Sequence, residues 1–459
     1  MTADSHVMLE ARMRTNLSRL AIVATAVALG IAGLPGSAGA GPASPDHRGG
    51  DRLKQVGYFT QWGIYSGNFV KRVETTGQAG KLTHVNYAFA NVSSDGKCFE
   101  VNAAGLGDAW ADYQRPAAAT ESVDGMADTW GQPLAGNFNQ LRKLKARHPG
   151  LKVLMSIGGF TWSKYFSDAA LTPQSRQAFV ASCIDLFIKG NLPILDGGSG
   201  GPGVAAGVFD GFDIDWEWPA NNLIGGTSRP QDKANYTKLL DEFRDQLDAY
   251  GHQVHKHFQL TAFLPANPTN IDNGFEPRKI FRDLDFATLQ GYDFHGTWES
   301  QTNQQSALRQ PAGDPVSPDF TVASTVDAWV SRGAPRHEIV VGMPYYSRGW
   351  TGVPNVNHGL FQTSTGPAPG AVENGINNYN VLVNHPGFTV YRDERAGFAW
   401  LSDGTTFWTF DDPTVLAQKT AFIRRNDLGG AMVWSLDGDD AAGTLTDELF
   451  RGLNHRRHD

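Results

Sequence analysis

From about residue 52 to residue 453 the chain alternates short, nearly unbroken apolar runs with longer stretches in which apolar residues recur every three or four positions. The runs fall at residues 56–59, 84–92, 152–157, 208–216, 259–264, 286–292, 339–344 and 430–435. Being short, rich in β-branched and aromatic residues and mostly without polar alternation, they predict parallel strands covered on both faces. Between them, Leu134, Phe138, Leu141 and Leu144 share one helical face, and Tyr236, Leu240, Phe243 and Leu247 share another. Residues 413–426 predict a further helix, opened by Pro413 and closed before Asp427-Leu428-Gly429. Eight strands alternating with helices predict an α/β protein, a (β/α)8 TIM barrel whose site lies at the C-terminal ends of the strands. An open doubly wound sheet would carry a Gly-rich phosphate loop after its first strand, and none follows Phe59.

Two segments are longer than ordinary connections. Residues 93–132 are polar and contain Trp110, Tyr113 and Trp130. Residues 352–406, between the seventh and eighth strands, hold strand-like pieces at 387–391 and 397–401. They predict a small α+β insertion on the same rim as the site.

Residues 1–40 carry Arg12, Arg14 and Arg19 ahead of an apolar run over 20–34, then Pro35 and Ala38-Gly39-Ala40. This is the pattern of an export signal, and the run is short for a membrane span. Asp4 and Glu10 extend the stretch before Arg12, so Met8 or Met13 are alternative starts. A Pro/Gly/His linker over 41–51 follows, and 52–459 then form the barrel with its insertion. In an exported chain Cys98 and Cys183 would either pair or remain two buried thiols. Cys183 lies on the apolar stripe Phe179, Cys183, Leu186, Phe187.

Composition narrows the partners. Of 459 residues 41% are hydrophobic, enough for a full core, and a formal net charge of −8 with no basic run argues against nucleic acid and anionic membranes. The 12 Trp, 12 Tyr and 26 Phe leave aromatic faces to spare for stacking on flat or ring-shaped ligands.

The most informative segment is Asp210-Gly211-Phe212-Asp213-Ile214-Asp215-Trp216-Glu217-Trp218-Pro219. Strand alternation turns Asp213, Asp215 and Glu217 to one face, into the barrel. Three acids in a buried row are costly unless they share protons and hydrogen bonds, so at least one pKa rises and the row titrates as a unit. A carboxyl kept protonated near neutral pH is what general acid catalysis requires. Glu217, nearest the mouth, is the candidate acid; Asp215 lies ~7 Å back along the strand at ~3.3 Å per residue. Two carboxyls on one side are badly placed to flank a glycosidic bond, for which a retaining pair stands ~5–5.5 Å apart. The spacing suits one acid plus a nucleophile from the substrate itself. No His cluster completes a metal site, and neither a metal nor a cofactor is expected.

The pattern Asp210-x-x-Asp213-x-Asp215-x-Glu217 resembles the signature of glycoside hydrolase family 18, the chitinases. Ser156-Ile157-Gly158-Gly159 resembles the family's second motif. Gly57-Tyr58-Phe59, Asn86-Tyr87-Ala88-Phe89, Tyr292-Asp293-Phe294, Pro344-Tyr345-Tyr346-Ser347-Arg348-Gly349-Trp350 and Trp434-Ser435 match other strands in order. The similarity runs from about 52 to 453 and is nearest to bacterial members with the α+β insertion.

The resemblance implies roles. Glu217 would protonate the glycosidic oxygen, and the N-acetyl carbonyl of the −1 sugar would attack the anomeric carbon, giving an oxazolinium ion and retention. Asp215 would hold the acetamido N–H, with Asp213 as its proton-sharing partner. Tyr292 would bond the acetamido oxygen, Asp293 would bind and distort the −1 sugar, and Trp434 would form the floor beneath it. Tyr58, Phe89, Tyr346 and Arg348 match cleft-lining positions, with Trp62 towards the non-reducing side and Trp298 towards the leaving group. Phe160 stands where many relatives have Trp, and Gln290 where many have Met; both change walls, not the acid. The implied partners are chitin and chitooligosaccharides, met by a secreted monomer. With no appended chitin-binding module in the sequence, the catalytic surface alone would grip the polymer. Two alternatives share the fold: an endo-β-N-acetylglucosaminidase acting on N-glycans, and a chitin-binding lectin, which usually lacks the acid that Glu217 supplies here.

Overall fold

A computed structural model of the protein describes residues 52–454 apart from 196, 224, 317–319 and 384, so the export signal and linker expected over 1–51 lie outside the described residues. Eight parallel strands, β1 Lys54–Thr60, β2 His84–Val92, β3 Lys152–Gly158, β4 Gly211–Asp215, β5 Gln259–Leu264, β6 Phe286–Leu289, β7 Ile339–Pro344 and β8 Gly430–Trp434, are hydrogen-bonded in sequence order. Val56 of β1 sits opposite His84 of β2 and Met432 of β8, which closes the barrel. β2, β5 and β7 coincide with their apolar runs, while β4 and β6 stop short of theirs because the following residues turn out of the barrel into the site.

One main helix follows each strand: α1 Val70–Thr75, α2 Gly136–Arg147, α3 Pro173–Cys183, α4 Asp232–Val254, α5 Pro268–Gly274, α6 Val322–Ser331, α7 Pro413–Arg425 and α8 Thr444–Asn454. Their starts are written locally. Thr172 and Thr321 form capping boxes with Ser175 and Ser324, and Asp412 accepts the Val415 N–H at 3.0 Å ahead of Pro413. The predicted stripes face inward. Tyr236, Leu240, Phe243 and Leu247 of α4 are buried, and Phe243 packs 5.5 Å from Phe212 of β4. The outward Phe212 and Ile214 thus hold β4 to its helix layer while Asp213 and Asp215 face the barrel axis. Among the described residues no helix is long and apolar enough to cross a membrane.

The segment after β2 is tied down more than its polarity suggests. Cys98–Phe99 pairs antiparallel with β2, Tyr113 is fully buried, and Cys98 is disulfide-bonded to Cys183 at the end of α3. Of the two states the sequence allows, the cysteines adopt the pair. The bridged residues are 85 apart, and cross-linking a loop of this size removes unfolded-chain entropy worth up to about 4.6 kcal/mol. Cys98→Ala/Cys183→Ala is expected to lose about 2–4 kcal/mol in urea unfolding; an unchanged midpoint would mean that the bridge constrains nothing.

The connection from β7 to β8 contains a six-stranded antiparallel sheet built from Tyr346–Thr351, Gly366–Pro367, Ile376–Asn378, Thr389–Asp393, Phe398–Ser402 and Thr406–Phe410. Trp350, Leu360, Phe398, Trp400 and Phe407 give it a core of its own. It extends beyond the expected 352–406 at both ends, since its first strand begins two residues after β7 and its last runs to Phe410.

Candidate active site

The acids sit where β4 ends. Asp213 is wholly buried and accepts three hydroxyls: Tyr58 at 2.6 Å and Ser156 at 2.8 Å on Oδ2, and Thr261 at 2.7 Å on Oδ1. Burial raises its pKa and these donors oppose the rise. Asp215 is 3% exposed, and its carboxyl is hydrogen-bonded to that of Glu217, which is half-buried at the mouth. Burial, then the charges of Glu217 and Asp213, push Asp215 well above the ordinary carboxylate range. Burial pushes Glu217 up to about 8, with the Asp215 hydrogen bond pulling the other way and the Asp293 charge adding to the rise. Asp215 and Glu217 therefore keep a proton between them at neutral pH.

The carboxyl hydrogen-bonded to Asp215 in this structure is that of Glu217, and Asp213, which acts on Asp215 through its charge, accepts hydroxyls on both of its oxygens. The strand pairing ends at Gly158 opposite Asp215, and Ser163 takes over: its hydroxyl lies 3.0 Å from the Asp215 carbonyl and accepts the Glu217 N–H at 2.9 Å. Freed from the ladder, the chain bends and brings the two carboxyls together. Two glycines allow close approaches here, Gly158 to the bending chain and Gly159 to an aromatic ring of the cleft wall. A Cβ on Gly158 (φ 109°) would come 2.3 Å from the Asp215 carbonyl oxygen, and one on Gly159 (φ 71°) would come 2.6 Å from the Phe89 ring.

Two groups of side chains flank the acids. On the β1, β2 and β8 side, the Trp434 ring centroid is 5.2 Å from Tyr58, 5.6 Å from Phe89 in a stacked arrangement, and 6.4 Å from Trp62, itself 47% exposed. On the β6 and β7 side, Tyr292 is buried, packs 6.0 Å from Tyr346, and remains a phenol because burial and then the charges of Asp215 and Glu217 raise its pKa far above its usual value. Arg348 donates to Asp293 at 2.9 Å and lies over the rings of Trp298 at 5.1 Å and Tyr346 at 5.5 Å. Tyr58, bonded to Asp213, and Tyr292, facing Asp215 and Glu217, join both groups to the acid row. Gln290 and Phe160 stand apart. The Gln290 amide oxygen accepts the Ala266 N–H at 3.2 Å, and Phe160, half-buried in the turn after Gly159, belongs to neither ring group. Asp210, the first acid of the motif, sits at the opposite end of β4, 2.7 Å from Lys145 and 2.8 Å from Lys256, and braces the barrel bottom. Among the described residues no cluster of His, Cys, Asp and Glu is disposed to hold a metal ion.

Ser156, Ser163 and Thr261 are the site residues whose roles sequence reasoning missed. A motif contains Ser156, but no local pattern signals the partner of a lone hydroxyl.

The raised acids tie stability to pH. Glu217 titrates at about 8 when folded, against 4.5 as an ordinary glutamate. Between those values the folded chain holds a proton that the unfolded chain has released, so stability falls as pH rises through the interval. The melting temperature is expected to fall from pH 5 to pH 8, and to fall less in Glu217→Gln. Equal falls in the two proteins would show that another group carries the effect.

The profile of glycosyl hydrolases family 18 matches residues 54–439. Chitinase C of Streptomyces lividans is 38% identical over 85% of the chain and 58% of its own length, and chitinase A1 of Niallia circulans is 35% identical over 85% and 57%. The chain thus spans less than two thirds of the length of these curated relatives. Among solved structures, the catalytic domain of a psychrophilic chitinase B from Arthrobacter TAD20 superposes with a TM-score of 0.84 at 45% identity, covering 87% of the chain and 95% of that domain.

Proposed function

The chain belongs to glycosyl hydrolase family 18, and from that premise we propose that it is a secreted, monomeric chitinase. It hydrolyses β-1,4 linkages between N-acetylglucosamine units of chitin and chitooligosaccharides, with retention and by substrate assistance. Residues 1–40 act as an export signal, 41–51 as a linker, and the remainder as the catalytic barrel with its insertion. The disulfide and the chitinase names of the relatives support this reading.

The observation that carries it is the pair of carboxyls at the end of β4, Asp215 buried and Glu217 half-buried at the mouth, with burial pushing both pKa values upward. Glu217 delivers its proton to the glycosidic oxygen as the bond to the anomeric carbon breaks. The acetamido carbonyl oxygen of the −1 sugar forms a new bond to that carbon from the opposite face, giving an oxazolinium ion, and the shortened chain departs as an alcohol. Asp215, anionic once its neighbour has reacted, holds the acetamido N–H. Tyr292 donates to the acetamido oxygen, and Asp293, oriented by Arg348, takes a sugar hydroxyl. Water then attacks the same face that the leaving group left, Glu217 takes its proton, and the ring opens to the β-anomer. Trp434 supplies the apolar floor, with Tyr58, Trp62 and Phe89 continuing the wall on one side and Trp298 on the other.

The test is N-acetylglucosamine hexamer incubated with the protein while the anomers of the products are followed by NMR. Shorter oligomers released first as the β-anomer are expected. α-Anomers would overturn retention, and tight binding without cleavage would make the protein a lectin. Preference for the chitobiose core of an N-glycan over the hexamer would make it an endo-β-N-acetylglucosaminidase.

A further inference from the structure

A charged pair with no place in that mechanism lies at the core of the β6–α7 region. Lys419 of α7 is completely buried, and its ammonium donates to Asp411 Oδ2 at 2.5 Å and to Ser306 Oγ at 2.6 Å. Two buried charges are expensive, and a well-packed apolar pair would serve stability as well or better. What an apolar pair cannot do is aim a hydrogen bond.

The bond it aims leads to the site. Ser306 has one hydroxyl proton, and with the ammonium on its lone pair that proton goes to the carbonyl of Gly291 at 2.5 Å. The neighbouring Gln305 carbonyl accepts the Phe294 N–H at 3.1 Å. Residues 305–306 therefore grip the chain on both sides of Tyr292 and Asp293. The grip is anchored in turn, since the Gln305 side chain donates to the Tyr346 carbonyl at 2.8 Å. The gripped segment needs holding: Asp293 adopts φ 57°, in the left-handed region that non-glycine residues occupy only when their surroundings enforce it.

We infer that Lys419, Asp411 and Ser306 form a positioning unit for Tyr292 and Asp293: the ammonium orients the Ser306 hydroxyl, and the hydroxyl fixes the backbone from which both side chains reach the acid row. None of the three touches substrate. The inference rests on the proposed reading of the site as a hydrolase for N-acetylglucosamine polymers.

The test compares wild type, Ser306→Ala and Lys419→Met/Asp411→Leu on N-acetylglucosamine hexamer, with thermal melts alongside. The single variants of the charged pair are avoided because each leaves a lone buried charge. Ser306→Ala is expected to lower kcat by about tenfold to a hundredfold, the scale of a small misplacement of catalytic groups, with KM changed less than about threefold. The double variant should melt at or above the wild-type temperature and still show the kcat loss. Were it unfolded, Ser306→Ala would decide alone. Ser306→Ala within twofold of wild-type kcat, or a folded double variant with full activity, would overturn the inference and leave the proposed function standing. An inert wild type would instead overturn both.

Discussion

Glu217→Gln is expected to abolish hydrolysis of N-acetylglucosamine hexamer, with kcat falling by at least the about 10²–10⁴-fold that a positioned general acid contributes. Gln is nearly isosteric and can still hydrogen-bond Asp215, so the acid is removed while the surrounding walls stay in place. Hexamer binding by calorimetry should persist and the near-UV circular dichroism should match wild type. The wild-type pH profile supplies the complementary sign. Glu217 acts as an acid only while protonated, and it titrates at about 8. Activity should therefore decline as pH rises through that value, not near the pKa of an ordinary glutamate. A variant retaining activity within tenfold of wild type would move the proton source elsewhere, and Asp215, the raised carboxyl hydrogen-bonded to Glu217, would be the first place to look.

What the sequence reveals follows from how each feature is encoded. The barrel strands read directly because parallel strands buried on both faces leave unbroken apolar runs, as at His84–Val92 and Ile339–Pro344. Helix starts read because caps are local, as Asp412 with Pro413 illustrates. The acid row reads because alternation is a property of the strand itself. Its end does not: β4 stops at Asp215 because a serine from the turn after β3 takes its carbonyl and the next N–H but one, and that serine is remote in sequence.

The same distinction separates the legible half of the site from the rest. Trp434, Tyr58 and Phe89 each lie at or near the C-terminal end of a barrel strand, so strand order alone brings their rings together. The hydroxyls that Asp213 accepts from Tyr58, Ser156 and Thr261 come from three other strands, and the spacing of the acids contains no trace of them. The small sheet is longer than its apolar pieces suggest because Tyr346–Thr351 interrupts its two aromatic residues with Ser347, Arg348 and Gly349, and it is held in the sheet by pairing with Gly366–Pro367, Ile376–Asn378 and Thr406–Phe410. The cysteine pair joins two segments that single-sequence patterns treat separately.

Asp215→Asn is expected to cost about 10²–10³-fold in kcat, the scale of removing one preorganised electrostatic group. The reason lies in which of its atoms are served. Asp215 is almost completely buried, yet among the described residues no N–H or hydroxyl group donates to its Oδ1. A buried acceptor left unpaired costs about 1–3 kcal/mol, a penalty that an acetamido N–H from the −1 sugar would relieve. Asn can still accept that N–H, so hexamer affinity in a Glu217→Gln background should change less than about tenfold. It cannot carry the negative charge that the proposed mechanism places beside the oxazolinium ion, so the loss should fall on kcat. Asp213→Asn provides the internal comparison. Asp213 accepts the hydroxyls of Tyr58, Ser156 and Thr261, so its replacement disturbs packing and the local field without removing the group that the proposed mechanism sets beside the cation. Its kcat loss should be the smaller of the two, of order tenfold. If Asp213→Asn proved the more damaging, the anion that stabilises the intermediate would be Asp213, and the hydrogen-bonded Asp215–Glu217 pair would have to be read as a proton store.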